Sequence, residues 1–341
     1  MFLSKSSSGV YYLWYTDEFG SRQKISTHCK FKSDALKYLQ GFDQKVNRKK
    51  PRVTLSQFKQ ELISHIEVLY TRATVKIYHQ AFDSLIDILG DVILQSINIK
   101  DVDIYKSERL KKVKPITVNT RLIALKSAFN FAIRWEYLVE NPFTRVRFCS
   151  VPQQAPIFFT KEDFQKLIYM IKEGWLKEVV IFATLTGMRL SEITNLHWND
   201  VHLDRKLITV QSSSTFRTKN GKRRDIPLND SVLYLLQQKI KKDNSKRTED
   251  LVFTLNGKKI LETWLSHKFK YYVYLCRLSN DRLHFHSLRH TFASWLAQDG
   301  VSIYVIKELL GHADVKTTQI YSHLTGSELH GAVNRISISL N

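Results

Sequence analysis

Cysteine is scarce in this sequence. Cys29, Cys149 and Cys276 are the only three in 341 residues, far apart, with no CxxC pair and no even set. That argues against a disulfide framework or a cysteine-built zinc site and fits a reducing compartment. Long apolar runs are missing as well. None reaches the ~18 residues of a membrane span, so no membrane partner is expected. The opening MFLSKSSSGVYYLW has no charged stretch followed by an apolar core and a cleavage site, which argues against secretion and for the cytoplasm. Internal repeats, low-complexity tracts and a carboxylate cluster suited to Mg²⁺ are also missing, so neither a metal nor any other cofactor is expected.

Negative charge is the remaining shortage. Asp and Glu number 32 against 52 Lys and Arg, leaving a formal net charge of +20. On a folded, non-secreted chain such an excess points to a polyanion, and nucleic acid is the usual one. A solvated basic surface is the plainer alternative. The length allows two or three domains with at least one sizeable core.

The first 50 residues read as a small β-sheet plus helix. Val10 to Tyr15 is an apolar, aromatic strand, Asp17 to Gly20 a turn, and Arg22 to Thr27 a second, alternating strand. Ser33 is placed to cap a helix from Asp34 to Phe42, with Leu36, Tyr38 and Leu39 free to pack. Met1 to Arg52 holds 11 Lys and Arg against 4 Asp and Glu. Arg22 and Lys24 are candidate DNA contacts, unless this is a structural appendage with solvated cations. Asn47 to Arg52 (NRKKPR) reads as a linker, in which Arg48, Lys49 and Lys50 either touch phosphates or are simply solvated.

Residues 53–145 read as a bundle of about four helices. Leu55, Phe58, Leu62 and Ile66 recur at helical spacing, as do Ile77, Phe82, Leu85 and Ile88. Thr117 is the candidate cap of a long helix carrying Leu122, Leu125, Phe129 and Ala132 on one face, which must end before Asn141-Pro142. Lys106, Arg109, Lys111, Lys112 and Lys114 fall near a connection between helices, as DNA contacts or as solvated charge. Thr144 to Phe159 reads as a second linker. Thr160 then caps a helix, and residues 157–341 read as one mostly helical domain with a strand insert at Leu207–Val210 and Asp225–Leu228. The fold class is mainly α with small β elements.

The candidate chemistry lies in this last domain. Arg189 precedes a short helix, where a guanidinium beside free N–H groups clamps an anion, and Glu192 at i+3 can hold it. Read alone, this is more often a surface ion pair, because such pairs are common. The turn containing Lys219, Lys222, Arg223 and Arg224 can swing cations over a bound backbone or merely protect a sheet edge. His286 and Arg289 are three apart, on one turn of a helix whose Leu288, Phe292 and Trp295 face a core. Ser302 caps the next helix, Gly311 ends it, and His312 follows in the turn. Asp314 is placed to cap a final helix carrying Tyr321, which by itself reads as a core tyrosine.

Four strings bring these residues together: TGMRLSEI (186–193), HSLRHTFASWL (286–296), LLGH (309–312) and TTQIY (317–321). In this order and spacing they closely resemble the tyrosine recombinase, or phage integrase, family, over Thr160 to Leu324. The resemblance implies that Arg189 and Arg289 clamp the scissile phosphate, with His286 and His312 as the family's two histidines. It makes Lys219 the general acid, with Lys222 as the lesser candidate, Tyr321 the nucleophile and Glu192 a supporting acid. Residues 1–50 then resemble an arm-type DNA-binding module, 53–145 a helical core-binding (SAM-like) domain, and 157–341 the catalytic domain, whose segment Arg335 to Leu340 reads as a strand or tail that packs on a neighbouring protomer.

The resemblance further implies site-specific recombination through a 3′-phosphotyrosine, double-stranded DNA with core and arm sites, a homotetramer on two duplexes, accessory DNA-bending or excision proteins, and a place with the nucleoid. The basic N-terminal module favours an integrase of a mobile element. The rivals are a Xer-type chromosome-dimer resolvase, a type IB topoisomerase-like enzyme and a DNA-binding regulator without chemistry.

Overall fold

The computed structural model describes residues 1–16, 21–46, 52–152, 155–212, 221, 223–243, 250–278, 280 and 282–324. They fall into two compact units, Met1–Pro152 and Gln153–Asn341.

The first unit opens with β1 (Phe2–Lys5), β2 (Tyr11–Thr16) and β3 (Arg22–Ser26), an antiparallel sheet in that order, followed by α1 (Lys32–Val46). Two of the strands were legible in the sequence; β1 was not. Its Phe2 stacks on Trp14 across the pair, and the Trp14 indole N–H donates to the Ser4 hydroxyl at 2.8 Å. The helix begins before the expected cap, so Ser33 lies inside it. Leu36 and Tyr38 stay 42% and 37% exposed, and fully buried Ala35 and Leu13 supply the tightest packing. A small residue lets the helix lie close to the sheet.

The same unit continues with α2 (Leu55–Ile66), α3 (Arg72–Leu89), α4 (Ile99–Lys112) and α5 (Pro115–Arg134). Thr54 and Gln57 form a reciprocal capping box at α2, and Asn98 with Asp101 forms another at α4, satisfying N–H groups that a helix start leaves free. Thr117 does not cap α5. The helix starts one turn earlier because Pro115 occupies its first position, where a fixed φ and a missing N–H cost nothing. Phe58, Phe82, Leu85, Leu122, Leu125 and Phe129 are fully buried between these helices. Four of the expected connection cations, Lys106, Arg109, Lys111 and Lys112, lie within α4, and Lys114 is the residue before α5. The stretch after the bundle is fastened to it, since the Asn119 amide bonds both backbone groups of Cys149 at 2.8–2.9 Å.

The second unit comprises α6 (Lys161–Met170), α7 (Gly174–Thr186), α8 (Leu190–Thr194), β4 (Val201–His202), β5 (Leu207–Val210), β6 (Arg224–Pro227), α9 (Asp230–Asp243), β7 (Thr254–Leu255), β8 (Lys258–Lys259), α10 (Glu262–Leu275), α11 (Phe285–Gln298) and α12 (Ile303–Leu310). Strands β4, β5 and β6 form an antiparallel sheet in chain order, and β7 pairs with β8. Thr160 caps α6 as expected, its hydroxyl accepting from the Asp163 N–H. The core is apolar helix α7 against α11, with Val179, Phe182, Phe253, Phe269 and Leu288 buried in one cluster. Thr291 and Trp295 of α11 bond the N–H and C=O of buried Phe159, so the strand-like entry to the unit leaves neither group unpaired. Tyr321 is not on an α-helix. Asp314 caps a 3₁₀ turn at Val315–Thr317, and Tyr321 follows on a separate 3₁₀ stretch, Gln319–Leu324. No helix among the described residues is long and apolar enough to cross a membrane.

Candidate active site

The site forms where α7, α11 and α12 end or begin. Helix α7 stops at Gly187, whose φ of +62° is left-handed, and a Cβ there would stand 2.4 Å from the Phe292 ring. Glycine is needed for both reasons. Gly187→Ala is expected to lower stability by about 2–4 kcal/mol, combining a left-handed penalty with overpacking, as read by urea unfolding.

Ending α7 here does two things. It frees the Gly187 carbonyl, which accepts from Arg289 Nη1 at 2.7 Å. It also sets Arg189 at the N-cap of α8. Glu192, at the third position of α8, turns back and accepts from the Arg189 backbone N–H and from Arg189 Nη1, both at 2.8 Å. The same carboxylate accepts from Arg224 Nη1 at 3.0 Å and Nη2 at 2.6 Å. Burial pushes the Glu192 carboxyl up, but the bonds and charge of Arg224, and then those of Arg189, outweigh it and hold the group down at about 2.

The far end of α12 supplies the rest of the frame. Its last carbonyls lack helical partners and carry the negative end of the helix dipole. Arg289 Nη2 donates to Leu310 O at 2.5 Å, and Arg224 Nε to Leu309 O at 3.2 Å. Gly311 ends α12 at φ +65°, and a Cβ on it would lie 2.6 Å from Arg224 Cδ. Thus glycine both turns the chain and makes room for the arginine. His312 comes next, its Nδ1 2.9 Å from the hydroxyl of fully buried Thr318.

Two guanidinium groups therefore share the Glu192 carboxylate, Arg289 stands by on backbone carbonyls, and the described site is short of negative charge. Arg289 is 3% exposed; burial first, and the Arg189 charge second, lower it to about 9. Burial and the charges of Arg289 and Arg189 push His312 down to about 3. His286 keeps one side open to water, yet its protein-facing side, with His290 and Arg289 close by, lowers it to about 4. Only two of the five guanidinium N–H donors of Arg289 are committed to these carbonyls. An anion with several acceptor oxygens suits what is left.

Tyr321 is 1% exposed, and its hydroxyl lies 2.6 Å from His290 Nδ1. Burial raises the phenol to about 12, against the pull of Arg289. His290 itself is lowered to about 4, by burial and then by His284 and Arg289.

The structure thus brings Arg189, Glu192, His286, Arg289, His312 and Tyr321 into one constellation. Lys219 and Lys222 lie outside the described residues, as do Arg48, Lys49, Lys50, the turn at 17–20 and the segment 335–340. Arg224 needs correcting. It is not a cation on a hairpin surface; its side chain is 10% exposed and locked on Glu192. Arg223 is the outward neighbour, 63% exposed and 3.8 Å from Asp225. In the first unit, Lys24 lies over the Tyr12 and Trp14 rings, Arg22 and Lys112 are exposed, and Lys111 pairs with Glu108. His290 was missed by the sequence reading. Its signal was the i, i+4 spacing from His286, which puts both rings on one helix face, 5.1 Å apart.

Residues 158–328 match the model of the phage integrase family, and residues 68–149 that of the phage integrase N-terminal domain. Among curated relatives, the tyrosine recombinase XerC of Pediococcus pentosaceus is 28% identical over 293 residues, covering 81% of this chain and 94% of that one. Tyrosine recombinase XerA of Pyrococcus furiosus is 32% identical over 233 residues, 66% of this chain and 76% of that one. Two solved structures share the fold. The Tn1549 transposon integrase in complex with a circular intermediate DNA has a TM-score of 0.68 at 20% identity, over 83% of this chain and 100% of that one. A lambda integrase dimer bound to a core site has 0.67 at 18%, over 99% and 97%.

Proposed function

The chain belongs to the phage integrase family and is a tyrosine recombinase, and on that premise we propose that Tyr321 is its nucleophile toward a DNA phosphodiester, with Arg189, Lys219, His286, Arg289 and His312 as the catalytic set. One observation carries this assignment: a buried tyrosine hydroxyl beside a cluster of arginines that, among the described residues, outnumber the carboxylate they share. A phosphodiester brings the missing negative charge. Its non-bridging oxygens take the free N–H groups of Arg189 and Arg289, which gain most when charge builds on the phosphorus in the transition state.

The Tyr321 oxygen bonds to phosphorus as the bond to O5′ breaks, leaving a 3′-phosphotyrosine. Lys219 protonates the departing oxygen. The ester is conserved, so a 5′-hydroxyl from another strand can reverse the step without an energy source. Glu192 keeps Arg189 and Arg224 oriented and does not touch the substrate.

The fold likeness to lambda integrase covers 99% of this chain, and the described residues 1–16 and 21–46 form a sheet-and-helix module ahead of both family matches. This supports an integrase of a mobile element, with residues 1–50 as an arm-type module, 53–145 as the core-binding domain and 157–341 as the catalytic domain. Similar integrases include a lambda integrase tetramer bound to a Holliday junction. That favours a homotetramer on two duplexes for this chain, in the cytoplasm with the nucleoid. A housekeeping resolvase of the Xer type is the second reading, favoured by the identity to XerC and XerA.

The test is capture. The protein is incubated with a library of random-sequence duplexes nicked near their centre, and protein-linked DNA is recovered and sequenced. A covalent 3′ adduct on one recurring sequence is the expected result; no adduct on any duplex sinks the reading. On the recovered site, Lys219→Ala is expected to slow cleavage by about 10²–10⁴-fold, and a 5′-thio leaving group, which needs no proton, restores the rate. Slow cleavage of the thio duplex would move the acid to Lys222 or elsewhere.

A further inference from the structure

Among the described residues His290 is the hydrogen-bond partner of the Tyr321 oxygen, and the family resemblance gives it no role. Its Nδ1 stands 2.6 Å from that oxygen. Its ring is half-buried, and it neighbours Arg289 in sequence on the same turn of α11. Tyr321 is 1% exposed, so water has little access to take its proton. A phenol that attacks phosphorus must lose that proton, and its oxygen grows sharply more acidic as the new bond forms.

We propose that His290 is a further catalytic residue, the base that accepts the phenolic proton of Tyr321 during strand cleavage. The inference rests on Tyr321 being the nucleophile. In the step, the Oη–H bond breaks and Nδ1–H forms while Oη bonds to phosphorus. The phosphorus–O5′ bond breaks, and O5′ takes its proton from a different acid. In the rejoining reaction the Nδ1 proton returns to the departing phenolate oxygen.

The chemistry of the surroundings agrees. Burial first, and then His284 just ahead of the helix and Arg289 on it, disfavour a standing imidazolium at His290, whose ring also meets that of His286. A neutral imidazole has one bare nitrogen, and the tyrosine's single hydroxyl proton is the donor that fits it. The low basicity is no obstacle, because transfer comes late, when the oxygen is already committed to phosphorus. His286, with its ring 5.1 Å away and one side open to water, is placed to take the proton onward from the other ring nitrogen.

Two measurements test this. The first needs no DNA: ¹⁵N spectra of histidine-labelled protein, with His290 assigned through its loss in His290→Gln. The expected tautomer has Nδ1 bare and Nε2 protonated, with the Nδ1 signal shifting in Tyr321→Phe. An Nδ1-protonated ring overturns the proposal. The second is single-turnover adduct formation on the duplex recovered with the wild-type protein. His290→Ala is expected to lose about 10²–10⁴-fold in rate with unchanged DNA affinity. His290→Gln, which can hold the hydroxyl but cannot carry its proton, is expected to be equally slow. Wild-type rates in either variant overturn the proposal, and should the alanine variant not fold, the glutamine variant and the tautomer decide. Failure of the wild-type protein to form any adduct would instead sink the assignment of Tyr321 as nucleophile, which the spectra do not touch.

Discussion

Tyr321→Phe is expected to abolish the covalent protein–DNA adduct on a nicked duplex and to leave DNA binding intact. The substitution removes one oxygen from a side chain that is otherwise wholly packed, so the ring still fills its place between α11 and α12. The arginines, which supply the attraction for phosphate, are untouched. With Tyr321 as the proposed nucleophile, what goes is the atom that would become the ester, and water attacking in its place would hydrolyse the strand without leaving a protein–DNA link. Stability should fall by about 1–3 kcal/mol, because His290 Nδ1 loses its partner in a half-buried setting. Tyr304→Phe and Tyr272→Phe serve as controls. Tyr304 is 66% exposed on α12, and Tyr272 donates to Glu173 at 2.5 Å, away from the arginines. Both should form adduct normally. Adduct persisting in Tyr321→Phe, or vanishing in a control, would move the nucleophile to another tyrosine.

The sequence carried the parts of this site that depend on local rules. Thr160 and Ser302 were legible as caps and Gly311 as a stop, because capping involves residues two to four apart. The Arg189–Glu192 pair followed from i+3 spacing alone. Arg224 was misread because its direction depends on strand register. Paired with Val210, it shares its face with buried Ile226, while Arg223 and Asp225 point the other way. Alternation within RRDIP held that information, but the run of cations looked like a turn. The start of α5 was missed for a similar reason, since Pro115 reads first as a breaker and only second as a good opening residue. The partnership of His290 with Tyr321 joins residues 31 apart, on a 3₁₀ stretch where helical spacing does not apply.

Glu192 is where folding and chemistry meet, and its removal should have the largest effect on stability. Its carboxyl is 1% exposed and takes four N–H donors from Arg189 and Arg224. Glu192→Ala leaves two little-exposed arginines facing each other and Arg289 with nothing to balance them. A loss of about 3–5 kcal/mol is expected. The pH dependence gives an independent check. The group is held at about 2 in the folded chain, below its ordinary 4.5. Its contribution is therefore fully present above pH 4.5 and is lost as the pH falls toward 2; that gap corresponds to about 3 kcal/mol. Urea unfolding of the wild-type protein between these limits should show the decline, and Glu192→Gln should flatten it, since an amide has no proton to gain. Pairing Glu192→Gln with Arg224→Met should cost less than the sum of the two single changes, because each alone strands the other's partner. Additive losses, or an acid limb unchanged in the glutamine variant, would mean that Glu192 does not hold the arginines. If it does hold them, the same substitution should slow adduct formation on the recovered duplex, since Arg189 would then meet the phosphate without its brace.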